Sequence, residues 1–314
     1  LSKDFKEIKG DASFRKFYRN IKKNSIIVFA NKEKNKNLLI YDAINKILIK
    51  NDIIAPKLLS ENYFKNYIEV QDLGNKTIYQ TFVNNNKNNY FIFKKIIKVL
   101  NQIQLIKDKK VKNFRKDFYK IKEYENKILL DEVRLFSKWY VPKKLTKNKI
   151  NLFNYRFIRE VKLLLSKLNL KNDTFVHRDF HISNLIINSK NQIGLIDNQD
   201  ALIGNKAYDL ASLIDDVRYK TSNSLKYNIY KYYLKTNKRI DVAKFKNDFD
   251  ILSVLRNLKI IGIFMRLAER DRKRKYLKLI PYTWKLIDNR VSKNKVFDNL
   301  KLLLTSNFPK FITK

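Results

Sequence analysis

With 314 residues, 44% of them hydrophobic, the chain has enough apolar material for one large or two modest cores, which excludes a disordered protein. It contains no cysteine, so disulfides and thiolate metal sites are excluded and a reducing compartment is expected. The formal net charge of +38 would by itself point to nucleic acid or an anionic surface. The lysines are dispersed, however, and accompany an excess of Asn and Ile with only five glycines and four prolines, a bias closer to the codon usage of an AT-rich genome than to a basic patch.

From the N-terminus, residues 1–7 show no apolar stretch of the kind a secretory leader carries. No later run approaches the roughly 18 apolar residues that span a bilayer. The nearest, 260–265, is flanked by Lys259 and Arg266, and a cytoplasmic location is the expectation. Residues 25–30 are a short β-branched run and read as a strand. Residues 38–50 carry Leu39, Ala43 and Ile47 at helical spacing. A second strand over 67–71 stops at Asp72-Leu73-Gly74, a turn signal that reads as a hinge. The Asn- and Lys-rich stretch 84–89 reads as a solvated loop. Beyond it the period is helical over 91–105, 154–168, 241–269 and 276–290. One β interruption breaks this half: 174–176, then 185–188 and 192–196 on either side of Ser189-Lys190-Asn191, a hairpin signal. The predicted layout is α+β: a small strand-rich lobe over 1–75, a hinge near 72–76, and a large helical lobe over 76–314 that carries one catalytic hairpin.

Both histidines of the chain lie in one run, Phe175-Val176-His177-Arg178-Asp179-Phe180-His181-Ile182-Ser183-Asn184. The run has the form His-x-Asp-x-x-x-x-Asn, in which phosphotransferases of the protein-kinase-like class place a catalytic base and a metal-binding amide. Asp197 follows at the end of the apolar pair Leu195-Ile196, where such enzymes place a second magnesium ligand. Each of these residues alone is more often a turn former or a cap; the ordered set at strand ends carries the reading. Phosphoryl transfer asks the protein for positioning, for a cation on the phosphates and for a base near the nucleophilic hydroxyl. Asp179 is the candidate base, accepting the hydroxyl proton as the γ-phosphoryl leaves ATP. Asn184 and Asp197 offer hard oxygen ligands suited to magnesium. His177 and its neighbour Arg178 are expected to brace the loop. His181 has two open readings, substrate contact and loop packing. Asp200 faces metal or acceptor, or is a solvated turn residue. Asp209 opens a predicted helix and is expected to anchor structure or cap it. Rival chemistries fail on composition. The five glycines, Gly10, Gly74, Gly194, Gly204 and Gly262, allow neither a Walker loop nor a dinucleotide fingerprint. A zinc-protease helix would need Glu where Arg178 follows His177.

Taken together, the run His177 to Asn184, the run Ile196-Asp197-Asn198-Gln199-Asp200-Ala201 and the run Ala207-Tyr208-Asp209-Leu210-Ala211-Ser212-Leu213 resemble the aminoglycoside phosphotransferase (APH) family. Within it the nearest resemblance is to bacterial kinases of N-acetylmuramate and N-acetylglucosamine that act at the anomeric hydroxyl. The stretch Gly10-Asp11-Ala12-Ser13-Phe14-Arg15 and on to Arg19 is similar to their first β-hairpin, which covers the nucleotide phosphates. Glu69 to Gly74 resembles their hinge, Phe136-x-x-Trp139-Tyr140 a motif of theirs, and 256–268 their long C-lobe helix. The resemblance spans almost the whole chain. It implies an APH-type, protein-kinase-like bilobal fold, ATP and Mg as cofactors, and a small-molecule acceptor, with no membrane or nucleic-acid partner. It places Ser13, Phe14, Arg15, Gln71, Asp72 and Leu73 at the nucleotide, and His181, Asp200, Trp139 and Arg256 at the acceptor. Cell-wall recycling is the implied setting. Trp139 and Tyr140 either stack on a sugar or pack in a core; Arg256 and Arg266 either bind a carboxylate or solvate their helix. Other acceptors (an aminoglycoside, choline or a ketosamine) and an inactive nucleotide-binding regulator stand as alternatives.

Two departures from the family pattern bear on the site. Asn198 follows Asp197 where an aromatic or apolar residue is usual, which changes the packing expected beneath the site. The strand around Val28 carries no lysine to hold phosphates, and Lys32, Lys34 and Arg15 stand as alternative sources of that charge.

Overall fold

The computed structural model describes residues 4–8, 15–31, 36–84 and 89–312. In chain order the first half comprises β1 (Phe5–Ile8), β2 (Lys16–Asn20), β3 (Ser25–Phe29), α1 (Asn37–Lys50), β4 (Leu58–Asn62), β5 (Tyr67–Gln71), α2 (Ile78–Asn84), α3 (Asn89–Leu105), β6 (Lys110–Lys112) and β7 (Phe118–Lys120). Then come α4 (Asn126–Leu135), α5 (Lys147–Ser166), β8 (Asn172–Val176), β9 (Leu185–Ile187), β10 (Ile193–Leu195) and β11 (Leu202–Asn205). The chain closes with α6 (Ala207–Ile214), α7 (Asn223–Thr236), α8 (Val242–Glu269), α9 (Ile280–Val291) and α10 (Asp298–Asn307). These elements group into two compact units, Leu1–Lys122 with Thr174–Ile203, and Glu123–Asp173 with Gly204–Lys314.

The first unit is built on a five-stranded antiparallel sheet in the order β1-β2-β3-β5-β4. Its register sets Val28 opposite Ile68 and Ile26 opposite Val70, so β-branched residues at period two line one face. That face closes over Ala30 and over Leu38 and Tyr41 of α1. The predicted helix is present, and Leu39, Ala43, Ile44, Ile47 and Leu48 are buried along it. Each buried aliphatic side chain of this kind contributes roughly 1.5–3 kcal/mol. Asp42 and Asn45 are the polar exceptions on its buried side.

The predicted hairpin is β9 and β10, paired antiparallel. It is stitched to two segments of the sheet region. Leu195 N donates to Ile54 O at 2.8 Å, and Ile186 forms a bridge with Thr77. Gly194 permits the first contact, because a Cβ there would lie 3.0 Å from the side chains of Ile54 and Leu73.

The second unit is helical and centres on α8, whose buried residues run all around the helix from Phe245 to Ala268, the mark of a core helix rather than a surface one. It packs against α4, α6 and α9. At Gly262 a Cβ would fall 2.3 Å from the Leu135 carbonyl carbon, so only glycine lets α8 touch the backbone where α4 gives way to a π-helical turn, Phe136–Tyr140. Phe136 and Tyr140 stack with ring centroids 5.2 Å apart, and both pack against Trp284 and Phe308. Trp284 Nε1 donates to Tyr140 Oη at 3.1 Å. The stretch 276–290 departs from a single helix. It begins as a 3₁₀ turn, Arg274–Leu279, before α9 starts. Pro281 explains the break: it has no N–H to give and fits only the first turn of a helix. Among the described residues no helix is long and apolar enough to cross a membrane.

Candidate active site

Strand β8 delivers the chain to His177, whose side chain is fully buried. Its Nε2 lies 2.8 Å from Asn198 Oδ1 and 3.2 Å from Ile196 O. The Asn198 amide nitrogen donates to Asn45 Oδ1 at 2.8 Å and to Leu195 O at 3.1 Å. Asn198 Oδ1 is therefore an acceptor, which assigns the imidazole proton to Nε2. A buried polar chain thus runs from α1 through Asn198 to the start of the loop. This accounts for the polar residue after Asp197: an apolar side chain there would leave the His177 N–H only its longer contact to Ile196 O and would take the Asn198 donor from the Asn45 carbonyl, the latter at a cost of about 1–3 kcal/mol.

Within the loop, Arg178 has a left-handed backbone with φ 71°, and its Nη1 donates to Asp200 O at 3.1 Å. The Asp179 carbonyl accepts from His181 N at 3.0 Å and from Asn184 Nδ2 at 3.1 Å. That second bond orients Asn184. Its nitrogen is held, and its Oδ1 points away with no donor on it among the described residues. Ile196 N donates to Asn184 O at 3.1 Å, tying the loop to the strand that leads to Asp197. His181 is 4% exposed and its ring Nε2 lies 3.5 Å from Asn184 Nδ2, so its ring belongs to the packed interior of the loop.

Asp197 also adopts a left-handed conformation, φ 63° and ψ 41°. Such a non-glycine residue costs of order 1–3 kcal/mol and persists only where its surroundings hold it. Its Oδ1 accepts from Arg15 Nη2 at 2.7 Å and from Gln199 Nε2 at 3.2 Å. Arg15 Nη1 donates in turn to Gln199 Oε1 at 2.6 Å, and Gln199 Nε2 to Asp200 Oδ2 at 2.7 Å. Partial burial raises the Asp197 pKa above the ordinary carboxylate range; Arg15 opposes this, while Asp179 and Asp200 add to it. Tyr41 lies near the same pair: its phenol is pushed up to about 12, chiefly by burial, with Arg15 lowering it and Asp197 raising it. No donor among the described residues reaches Asp197 Oδ2, so this oxygen and Asn184 Oδ1 are two hard ligands left open. Among the described residues no group of three His, Asp or Glu is placed to hold a metal. Two open oxygens fit magnesium, which keeps its remaining positions for phosphates and water.

At the expected hinge Asp72 is buried and committed. It accepts from Arg19 Nε at 2.5 Å and from Gly74 N at 2.8 Å. Gln71, Asp72 and Leu73 line a cavity of about 620 Å³ together with Ile53, Ile54 and Gln192. Arg15, Asp179, Asn184 and Asp197 are not among its lining residues. Ser13, Phe14, Lys32 and Lys34 lie outside the described residues.

The first unit therefore brings together Arg15, His177, Arg178, Asp179, His181, Asn184, Asp197 and Asp200. Trp139, Asp209 and Arg256 belong to the second unit. There Trp139 is half-buried in the π-helical turn and Asp209 is buried in the first turn of α6. Arg256 is 4% exposed, which removes helix solvation as its role. Tyr140 packs in the aromatic core, and its phenol is pushed up to about 12 by burial. Sequence reasoning missed Asn45, Tyr41 and Gln199. The signal for the first two was a pair of polar-tipped residues four apart on the apolar face of α1.

Fold and loop together define a kinase-type phosphotransferase. Residues 4–241 match the model of the phosphotransferase enzyme family, APH, and the chain belongs to that family. It is similar to the N-acetylmuramate/N-acetylglucosamine kinase of Neisseria meningitidis serogroup B, 32% identical over 165 residues that cover 51% of this chain and 49% of that protein. A protein of the same description from Pseudomonas aeruginosa is 26% identical over 303 residues, covering 94% of this chain and 86% of that one. Among solved structures, the GDP and kanamycin complex of APH(2")-IIia shares the fold with a TM-score of 0.59 at 11% identity, covering 94% of this chain and 95% of that one.

Proposed function

We propose that the chain transfers the γ-phosphoryl group of ATP to the anomeric hydroxyl of an amino sugar, N-acetylmuramate or N-acetylglucosamine, in the cytoplasm. The observation that carries the chemistry is the bond from the Asn184 amide to the Asp179 carbonyl, which sets a carboxylate and an outward-facing amide oxygen in one short loop. Asp179 accepts the proton of the acceptor hydroxyl as the new P–O bond forms and the bond to the β-phosphate breaks, releasing ADP. Asn184 and Asp197 would hold magnesium through their open oxygens, and the ion would neutralise charge developing on the phosphates. His177 and Asn198 keep the loop in register, and Arg178 fixes its turn onto Asp200. Asp200, exposed beside Asp197, is read as a further contact to the acceptor. The segment Gln71 to Leu73 serves the nucleotide base. The amino-sugar acceptor is supported by the description of the Pseudomonas relative, which aligns over most of both chains.

The test is turnover with magnesium and ATP against N-acetylmuramate, N-acetylglucosamine, kanamycin, choline and a ketosamine, with the product located by phosphorus NMR. A sugar 1-phosphate is expected. Phosphorylation of choline or kanamycin with no sugar product would replace the acceptor while keeping the kinase chemistry.

A further inference from the structure

The geometry points to Arg15 as a resident cation that holds one carboxylate oxygen of Asp197 and so limits that carboxylate to a single divalent ion. This rests on the proposed role of Asp197 as a metal ligand and deepens it. The Arg15 side chain is 4% exposed. Its guanidinium lies 5.7 Å from the ring centroids of both Phe17 and Tyr41, and its two terminal nitrogens bond Asp197 and Gln199. Rings, amide and carboxylate thus fix the group before any nucleotide arrives. An arginine stays charged even when buried, and its bond to a carboxylate is a strong, directional one.

The consequence lies in how Asp197 divides its oxygens. Two divalent ions commonly sit around the phosphates in kinases, and a carboxylate that serves both gives an oxygen to each. Here Oδ1 already accepts from Arg15 and from Gln199. A second dication on that oxygen would have to displace both donors and would stand against a desolvated guanidinium. Oδ2 is open to one ion. Arg15 takes the place of the second charge.

Manganese(II) is the probe, counted by loss of the free-ion paramagnetic resonance signal as it is titrated into the whole chain mixed with one equivalent of a non-hydrolysable ATP analogue. One ion per complex is expected for the natural chain and for Arg15→Lys, which keeps the charge, and two for Arg15→Met. Two ions in the natural chain overturn the inference outright and need no variant. One ion in an Arg15→Met protein whose thermal melt matches the natural chain overturns it equally. Asp197→Asn should weaken the counted ion. No change there would remove Asp197 from the metal site, a failure of the underlying reading that is distinct from a wrong count.

Discussion

Two acidic clusters in this molecule are built to opposite rules. In the second unit Asp215 is 3% exposed and accepts from Lys226 at 2.8 Å, Arg290 at 2.9 Å and Ser253 at 2.5 Å. Asp250 beside it takes Arg290 at 3.2 Å, Asn294 at 3.2 Å and Lys246. Burial alone would raise the Asp215 pKa, but Arg290 and Lys226 outweigh it and hold the carboxyl well below its usual range. In the first unit Asp197 is 38% exposed, strained, and shares a single close cation with one oxygen, and its pKa moves up. Both sites are acids among basic residues, and what separates them is satisfaction. In the saturated cluster every acid is paired with a cation, and these pairs tie α8 to α9. The unsaturated one keeps oxygens open at a cost in stability, as expected of a site shaped for chemistry.

The contrast breaks first on activity. Asp179→Asn should lower kcat by roughly 10²–10⁴, the usual worth of a positioned base, while the thermal melt stays at its natural midpoint. Near-normal turnover in that variant would move the base elsewhere.

Stability comes next, and the two clusters should answer unequally. Asp215→Ala strips a buried acid from Arg290 and Lys226 and should cost about 3–5 kcal/mol, the penalty for orphaning buried charge. Asp197→Asn keeps the shape and relieves repulsion from Asp179 and Asp200, but it takes the counter-charge from the buried Arg15; it should lower the urea midpoint less than Asp215→Ala does, while abolishing turnover. Equal destabilisation by the two changes would erase the distinction between them. A smaller effect is expected at the join between α1 and the loop. Asn198→Ala should cost about 1–3 kcal/mol for each partner left unpaired and should lower kcat through a loosened loop rather than through lost chemistry. The check is urea unfolding beside a kcat and KM measurement.

Much of this site could be read in linear order because the loop is local. The bond that orients Asn184 on the Asp179 carbonyl spans five residues, so the spacing carried that part of the geometry. Long helices and the β9–β10 hairpin were legible for the same reason: periodicity and turn residues act over short distances. The partners that decide how Asp197 is shared were not. Arg15 stands 182 residues from Asp197, and Asn45 stands 153 from Asn198. No pattern within a window connects such pairs; tertiary packing alone brings them together. The three-residue strands β6 and β7 were invisible because so short a stretch shows no alternation. The fate of the Phe136-x-x-Trp139-Tyr140 motif was also hidden, since core packing and sugar stacking ask for the same residues.

The subtlest expected difference is in acid. A carboxyl whose folded pKa lies below its unfolded value binds fewer protons when folded. It stabilises the fold fully above the unfolded pKa, about 3.9 for an Asp, and loses that contribution as pH falls toward the folded value. Asp215 is such a group. Urea midpoints of the natural chain and Asp215→Asn should therefore differ most near neutrality, stay apart down to about pH 4, and converge below it. A gap that stays constant into strong acid would mean that Asp215 holds the second unit through shape and hydrogen bonding rather than through its charge. In that case the two clusters would differ in packing, and their opposite pKa directions would be a by-product of it.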